Sequence, residues 1–513
     1  MIRFRGTIYT GQLDPATTDA LLVDDAGRIA AAHEEAKRAG GAKIEEVSLG
    51  RRVAVPGFID AHLHLQSVAD RLTRLILDDA GSLDEVLALV ADSAKSYPRD
   101  RVLLGMGWDE GDWPDPRIPE RADLDRVAPN HAVVLRRICE HLWVVNSETL
   151  RLIAARKDLT PEQRGRLEAV SADGLLREAD ITLAAPLATP SPGEMSGRLL
   201  KATRHALSLG ATGVHEFGWT REPIVELDRR GRLPIRVVIG IRPDWLDETT
   251  PAEVLAEITG RRVSPGPVKF FLDGSIGAHT AAVSVPFVDD PGNSGQLLWD
   301  DAVIEKTLER WHKAGLQLAI HAIGDRAIAQ AVDVLARILG RHPRDDHRHR
   351  IEHAEPATPE LADRMASLGV IASMQPNFIG RWQQRRGLYE KRFGARGRRL
   401  NPLRTMLRAG VRLAFGSDGM PFGPLFGIRS AMEHPDPAER LTFVEALHAY
   451  TFGSAFAGRT ERDRGTLDPG KFADVAILSA DPSSGEEVTV EEVYVEGKRP
   501  VPLTGRESAG EGR

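Results

Sequence analysis

Pro56-Gly57-Phe58-Ile59-Asp60-Ala61-His62-Leu63-His64 is an apolar run that ends in His-x-His. Side chains alternate faces along a strand, so His62 and His64 point the same way, close enough to share one cation. A pair of unrelated histidines at a strand end fits the same residues, and the local pattern alone does not choose between the two.

Three more apolar runs break the tie. Gln317-Leu318-Ala319-Ile320-His321 ends in a histidine just before Gly324-Asp325-Arg326-Ala327 opens a helix. Arg350-Ile351-Glu352-His353 repeats this one unit later, and Val411–Phe415 runs into Gly416-Ser417-Asp418. Further runs stop near His215, Gly240, Leu272 and Met374. Eight strand ends separated by amphipathic, helix-period stretches predict an α/β chain folded as a closed (β/α)8 TIM barrel. In such a barrel the C-terminal strand ends converge on one site. Burying four imidazoles and a carboxylate together without a metal is costly, so His62, His64, His321, His353 and Asp418 are the candidate metal ligands.

Around this core the chain divides. Ala20–Val23 and Arg28-Ile29 flank the turn Asp24-Asp25-Ala26-Gly27, and Ala473–Leu478 and Val488–Val495 follow Asp468-Pro469-Gly470. Neither end is long enough for its own core, so residues 1–55 and 461–503 are expected to pair as one small β-sandwich beside the barrel of 56–460. The segment 66–200 is too long for a βα loop and reads as a large insertion, a lid, after the first strand. Residues 504–513 read as a disordered tail.

Composition narrows the function. The 513 residues carry 67 Lys plus Arg against 74 Asp plus Glu, a net charge of −7, with 42% hydrophobic and 27% charged residues. That balance predicts no nucleic acid and no membrane surface as partner. The start lacks the apolar core of a signal peptide, no run approaches a membrane span, and Cys139 is the single cysteine, so a cytoplasmic enzyme acting on a small-molecule substrate is the default. Cys139 itself reads as a buried small hydrophobe.

Lys269 lies in Val268-Lys269-Phe270-Phe271-Leu272-Asp273-Gly274, a run suited to burial on both faces. A buried ammonium loses its proton more readily, and the neutral amine can add carbon dioxide to give a carbamate that bridges two metals. A rim lysine paired with Asp273 fits the same run, and chemistry alone leaves both open.

His62-x-His64, Lys269, His321, His353 and Asp418 stand in the order of the amidohydrolase superfamily. More narrowly, the chain resembles the family-3 amidohydrolases, the branch that contains N-substituted formamide deformylases. The likeness includes Gly105-Met106-Gly107-Trp108-Asp109, His141–Ser147, Lys269–Ala281, His321–Ala327, Arg350–Ala354, Ser373-Met374-Gln375-Pro376, Gly416-Ser417-Asp418, Ala449-Tyr450-Thr451 and Gly465–Asp474. It implies two divalent metal ions, zinc before iron, manganese or cobalt, with carbon dioxide held as a carbamate on Lys269. His62, His64 and Asp418 would hold one ion and His321 and His353 the other. It further implies hydrolysis of a C–N bond, in an amide or an N-formyl or N-acyl amine, by a metal-bridging hydroxide with Asp418 as proton shuttle. A homodimer is compatible with the resemblance.

His279 and Gly419-Met420-Pro421 depart from the commoner pattern near the expected pocket, which leaves the substrate open. Trp108, Trp113, His141 and Trp143 from the insertion, with His279 and Gln375 from the barrel, are the substrate-contact candidates, each against an equally plain core reading. Asp60 and Glu352 could orient imidazoles or be ordinary strand-end polar groups, and His215 reads as packing beneath the mouth. Two other readings stand beside the hydrolase: a deaminase or imine hydrolase with one metal and an unmodified Lys269, and an inactive binding scaffold, which loss of ligands would mark.

Overall fold

Short apolar runs with both faces covered make a parallel eight-stranded sheet. The computed structural model describes residues 1–40, 44–138, 142–218 and 220–499; Cys139, His141 and the tail 504–513 lie outside them. The eight strands, in chain order, are β1 (Phe58–Leu63), β2 (Ala211–Glu216), β3 (Arg236–Ile241), β4 (Val263–Phe271), β5 (Leu318–Ala322), β6 (Arg350–His353), β7 (Ile371–Met374) and β8 (Leu413–Phe415). Each pairs in parallel with the next, from β1 to β8. All eight run into the strand ends read from the sequence.

The sheet is nearly closed into a barrel, and its last seam is made just beyond β8. Asp418 N–H donates to the His62 carbonyl at 2.8 Å. Asp60, on β1, accepts from Ser417 N–H at 3.1 Å and from Ser417 Oγ at 2.6 Å. Gly416 is needed here, since a Cβ would lie 2.4 Å from the His62 backbone nitrogen.

Amphipathic helices follow the strands. Asp325–Arg341 buries Ile328, Ala331, Val332, Leu335 and Ile338, the three-and-four spacing of one helical face. Each fully buried branched side chain contributes roughly 1.5–3 kcal/mol of transfer free energy. The helix starts where Asp273 accepts from the Ile323 and Gly324 amides at 2.9 and 2.7 Å, a carboxylate on the unpaired N–H groups of a helix N-terminus.

The two chain ends meet in one seven-stranded sheet built from Ile2–Tyr9, Thr17–Val23, Ile29–Ala32, Glu45–Ser48, Val53–Pro56, Val475–Leu478 and Val490–Tyr494. Phe4, Leu21, Ile29, Val475, Ile477 and Tyr494 share its core. The turn between Thr17–Val23 and Ile29–Ala32 closes with Gly27 N–H on the Asp24 carbonyl, with Gly27 at φ +77°.

Ser67–Lys201 forms a second compact unit. It holds a five-stranded sheet of Leu75–Ile76, Leu103–Trp108, Val133–Arg137, Leu142–Val145 and Leu175–Arg177. Its helix Leu83–Ser96 is capped by Ser82, whose side chain accepts from Glu85 N–H at 3.2 Å. Among the described residues no helix is long and apolar enough to cross a membrane.

Candidate active site

At the C-terminal strand ends the structure brings together His62, His64, Lys269, His321, His353 and Asp418. His62 and Asp418 are the centre. His62 Nε2 lies 3.4 Å from Lys269 Nζ and 4.0 Å from Asp418 Oδ1, and His64 Nε2 lies 3.4 Å from the same Asp418 oxygen. Donor atoms of His62, His64 and Asp418 all fall within 4.8 Å of one another. The His353 ring is 4.9 Å from His62 and 4.5 Å from His321, centroid to centroid. Strand register explains the grouping, since Phe271 pairs with His321, and Ala322 with His353.

Hydrogen bonds fix which nitrogen of each imidazole can bind a cation. His62 Nδ1 lies 2.7 Å from Glu352 Oε2, which only accepts, so Nδ1 carries the proton and Nε2 the lone pair. His321 Nε2 lies 3.0 Å from the Gly274 carbonyl, which leaves its lone pair on Nδ1. His353 Nδ1 is a buried polar atom with no hydrogen-bond partner among the described residues. Converging lone pairs, one carboxylate and an unpartnered imidazole nitrogen fit a metal ion.

Burial sets the charges. It holds His62 and His353 well below the ordinary imidazole range, helped by Lys269 at His62 and by His321 at His353. It pushes His321 down to about 3, with the Lys269 ammonium adding to the effect. His64 is lowered by burial too, against Glu216. All four rings are therefore neutral near pH 7, the form that ligates. Burial also favours neutral Lys269, opposed by Glu352 and Asp418, and raises the Asp418 carboxyl, opposed by Lys269.

Beneath the donors lies a fully buried polar floor. Glu352 accepts from Arg350 Nη2 at 2.9 Å as well as from His62, and Arg350 also reaches Ser373 Oγ at 2.6 Å and His215 Nδ1 at 3.0 Å. Glu352 thus orients an imidazole. Asp60 holds the His62 N–H at 3.1 Å and Ser417, which are backbone and hydroxyl groups rather than a ring. His215 packs below the mouth, as its position suggested. The backbone here is unusual: Asp418, His353 and Ala354 have φ of +56°, +74° and +51°, left-handed values that non-glycine residues adopt at a cost.

The substrate-contact candidates fare differently. Trp108 is fully buried in the core of the second unit with Leu83, Val86, Leu124 and Val144, so it is not a pocket wall. Trp113 shares that core, its Nε1 on the Ala80 carbonyl at 2.7 Å. Trp143 is buried in the other core of that unit, its ring beneath Arg136 at 4.2 Å. These indoles supply apolar bulk to a sheet that must bury both faces, and that need overrides the pocket reading. His141 lies outside the described residues. His279 binds Asp289 at 3.0 Å, the carboxylate that also pairs with Arg392, and so braces a loop. Gln375 is fully buried; its Nε2 donates to the Ser373 carbonyl at 3.2 Å while its Oε1 has no partner among the described residues.

The sequence reading passed over Phe217 and Glu216. The Phe217 ring packs 4.9 Å from His62 and 5.0 Å from Lys269 Nζ. Gly240 on β3 makes its space, for a Cβ there would come within 2.3 Å of the ring. Glu216 accepts from Leu65 N–H, Gly218 N–H and Thr220 Oγ1, and so ties the end of β2 to the segment after His64. A carboxylate directly after a buried strand-end histidine was the available signal.

A barrel with imidazole and carboxylate donors at its C-terminal mouth defines a metal-dependent hydrolase. Residues 45–501 match the model of the amidohydrolase family, and the chain belongs to that family. It is 30% identical to YtcJ of Bacillus subtilis (strain 168), over 93% of this chain and 94% of the relative. It is 27% identical to the N-substituted formamide deformylase of Arthrobacter pascens, over 93% and 94%. A crystal structure of an uncharacterized metal-dependent hydrolase from Pyrococcus horikoshii superposes with a TM-score of 0.76 at 27% identity, covering 97% of this chain and 99% of that one.

Proposed function

We propose that this protein hydrolyses a C–N bond in a small molecule, an amide or an N-formyl or N-acyl amine, at a site for two divalent cations, zinc by ligand type. The observation that carries this is the grouping of His62, His64, His321, His353, Lys269 and Asp418 at one end of the barrel, with the His62 and His321 tautomers fixed by hydrogen bonds to Glu352 and the Gly274 carbonyl. His62, His64 and Asp418 would hold one cation and His321 and His353 the other. The cations would supply Lewis acidity toward the scissile carbonyl and acidify water.

The side chains do the rest. Asp418 takes a proton from the attacking water and returns it to the nitrogen as the C–N bond breaks, so the amine leaves neutral. Glu352 keeps the His62 lone pair aimed at the site. Lys269 Nζ, buried, pressed toward its neutral form and 3.4 Å from His62 Nε2, would add to the carbon of carbon dioxide, forming an N–C bond and losing one proton, and the carbamate would supply a further anionic donor to the cations.

A one-cation reading, deamination or imine hydrolysis with Lys269 unmodified, is favoured by the tightness of the His62–His64–Asp418 group. Metal analysis after reconstitution with zinc and bicarbonate, beside a panel of N-formyl, N-acyl and cyclic amides followed by amine release, separates the two. Near two ions per chain with amine release is the expected result, and near one with ammonia release supports the alternative. His62→Ala/His64→Ala should stay folded and lose both metal and turnover; full hydrolase activity in that variant would overturn the proposal.

A further inference from the structure

Asp418 sits on the loop 416–423, and its left-handed backbone must be held by something outside it. From the barrel side, Asp60 and the His62 carbonyl hold Ser417 and Asp418. On the other side are two side chains that the reaction above does not use, Asn377 and Tyr450, both fully buried.

Asn377 lies in the first turn of the helix Pro376–Trp382, directly after β7. Its amide nitrogen donates to the Pro421 carbonyl at 2.7 Å and the Gly423 carbonyl at 3.1 Å, so both of its hydrogens grip the far end of the loop. Its Oδ1 accepts from the Tyr450 hydroxyl at 2.5 Å. The Tyr450 oxygen also lies 3.3 Å from the Gly416 carbonyl, at the near end of the same loop. Tyr450 packs edge-on against Phe415 of β8, ring centroids 5.5 Å apart.

Two further features point to a built device. Tyr450 sits in a π-helical turn, Ala449–Gly453, flanked by the α-helices Phe443–His448 and Ser454–Ala457. Such turns interrupt a better hydrogen-bonded helix and recur at functional sites. Gly427 faces the pair, and a Cβ there would lie 2.2 Å from both Asn377 Oδ1 and Tyr450 Oη. Three separate segments, around Asn377, Gly427 and Tyr450, are thus shaped around one hydrogen-bonded pair.

We infer that Asn377, which grips the far end of the 416–423 loop, and Tyr450, which holds the Asn377 amide in place and packs beside Gly416, are positioning residues that aim the Asp418 carboxylate. The inference rests on the proposed role of Asp418. Tyr450 and Asn377 bond to the loop and to each other rather than to a candidate ligand, and would act through the loop.

Tyr450→Phe and Asn377→Asp test it, because the first removes one oxygen and the second replaces both N–H donors within the same shape. Groups hydrogen-bonded directly to a metal ligand are typically worth about 10–100-fold in affinity or activity, and a clamp that acts one step further out is expected at the lower end. Zinc affinity, read by competition with a chromophoric chelator, should weaken about tenfold in each variant, and kcat should fall about tenfold with KM within about twofold. The visible spectrum of the cobalt-loaded protein should shift in both. Wild-type zinc affinity and kcat in either folded variant would overturn the inference, as would an effect confined to KM, or a loss that only tracks the folded fraction by circular dichroism. A wild-type protein that binds no zinc would instead bring down the proposed function, so the two failures are distinguishable.

Discussion

Glu352→Gln is the most informative single change. The substitution keeps the side-chain shape, leaves no cavity and removes one negative charge. Glu352 is fully buried and answers Arg350, itself fully buried, with a 2.9 Å bond from Nη2 and a second from Nε. Removing one partner of such a pair leaves an uncompensated charge in the interior, at about 3–5 kcal/mol. The Ala61 carbonyl and Ser373 remain as acceptors for the guanidinium, so the lower end of that range applies. With the usual entropy of roughly 2 cal/mol/K per residue, a cooperative unit of this size should melt about 4 °C lower.

The same carboxylate fixes the His62 tautomer, so zinc should bind about tenfold more weakly, equivalent to about 1.4 kcal/mol of lost ligand stabilisation. Scanning calorimetry on metal-stripped and zinc-loaded protein separates the two effects. Metal-free melting should fall, and the extra stability conferred by a fixed zinc concentration should shrink as well. A metal-free melting temperature within 1 °C of wild type, in the sense of roughly 1 kcal/mol or less, together with an unchanged zinc increment, would refute the argument.

His312, His347 and His349 form a buried chain in which His349 Nδ1 accepts from Leu318 N–H and its Nε2 faces His312 Nδ1 at 2.8 Å. Burial, helped by His347, holds His349 well below the ordinary range, so its contribution to stability is full above about pH 6.5 and is lost as pH falls toward its folded value. Relative to His349→Asn in urea unfolding, the wild-type advantage should narrow by about 1.4 kcal/mol per pH unit below 6.5, and a pH-independent gap would count against it. Trp108→Ala should destabilise the second unit by about 3–5 kcal/mol while leaving the KM of any substrate unchanged; a changed KM in folded protein would return Trp108 to the pocket.

The barrel and most of its donors were legible because the four histidines and Asp418 sit at or just past the point where an apolar run stops, and Lys269 stood out as a lone charge inside one. Alternation alone does not account for Glu352 and His353, although both were named from the sequence. Glu352 and His353 are neighbours on one strand and should face opposite ways, yet both serve the site, because His353 leaves the strand at φ +74°. No pattern of residue types announces that turn. Trp108 and Trp143 misled for the opposite reason: an isolated strand-like run near aromatic residues reads alike whether a ligand or a second apolar layer covers it. Asn377 and Tyr450 lie 73 positions apart and meet through tertiary folding, so neither carries a local signal.

The seam between the first and last strands has a consequence for biosynthesis. It is stitched by Asp60, His62, Ser417 and Asp418, and two of those four, His62 and Asp418, belong to the candidate donor group. His62 and His64 leave the ribosome more than three hundred residues before Asp418. The candidate group His62–His64–Asp418 is therefore assembled only when the last barrel strand is in place, by the same contacts that close the cylinder.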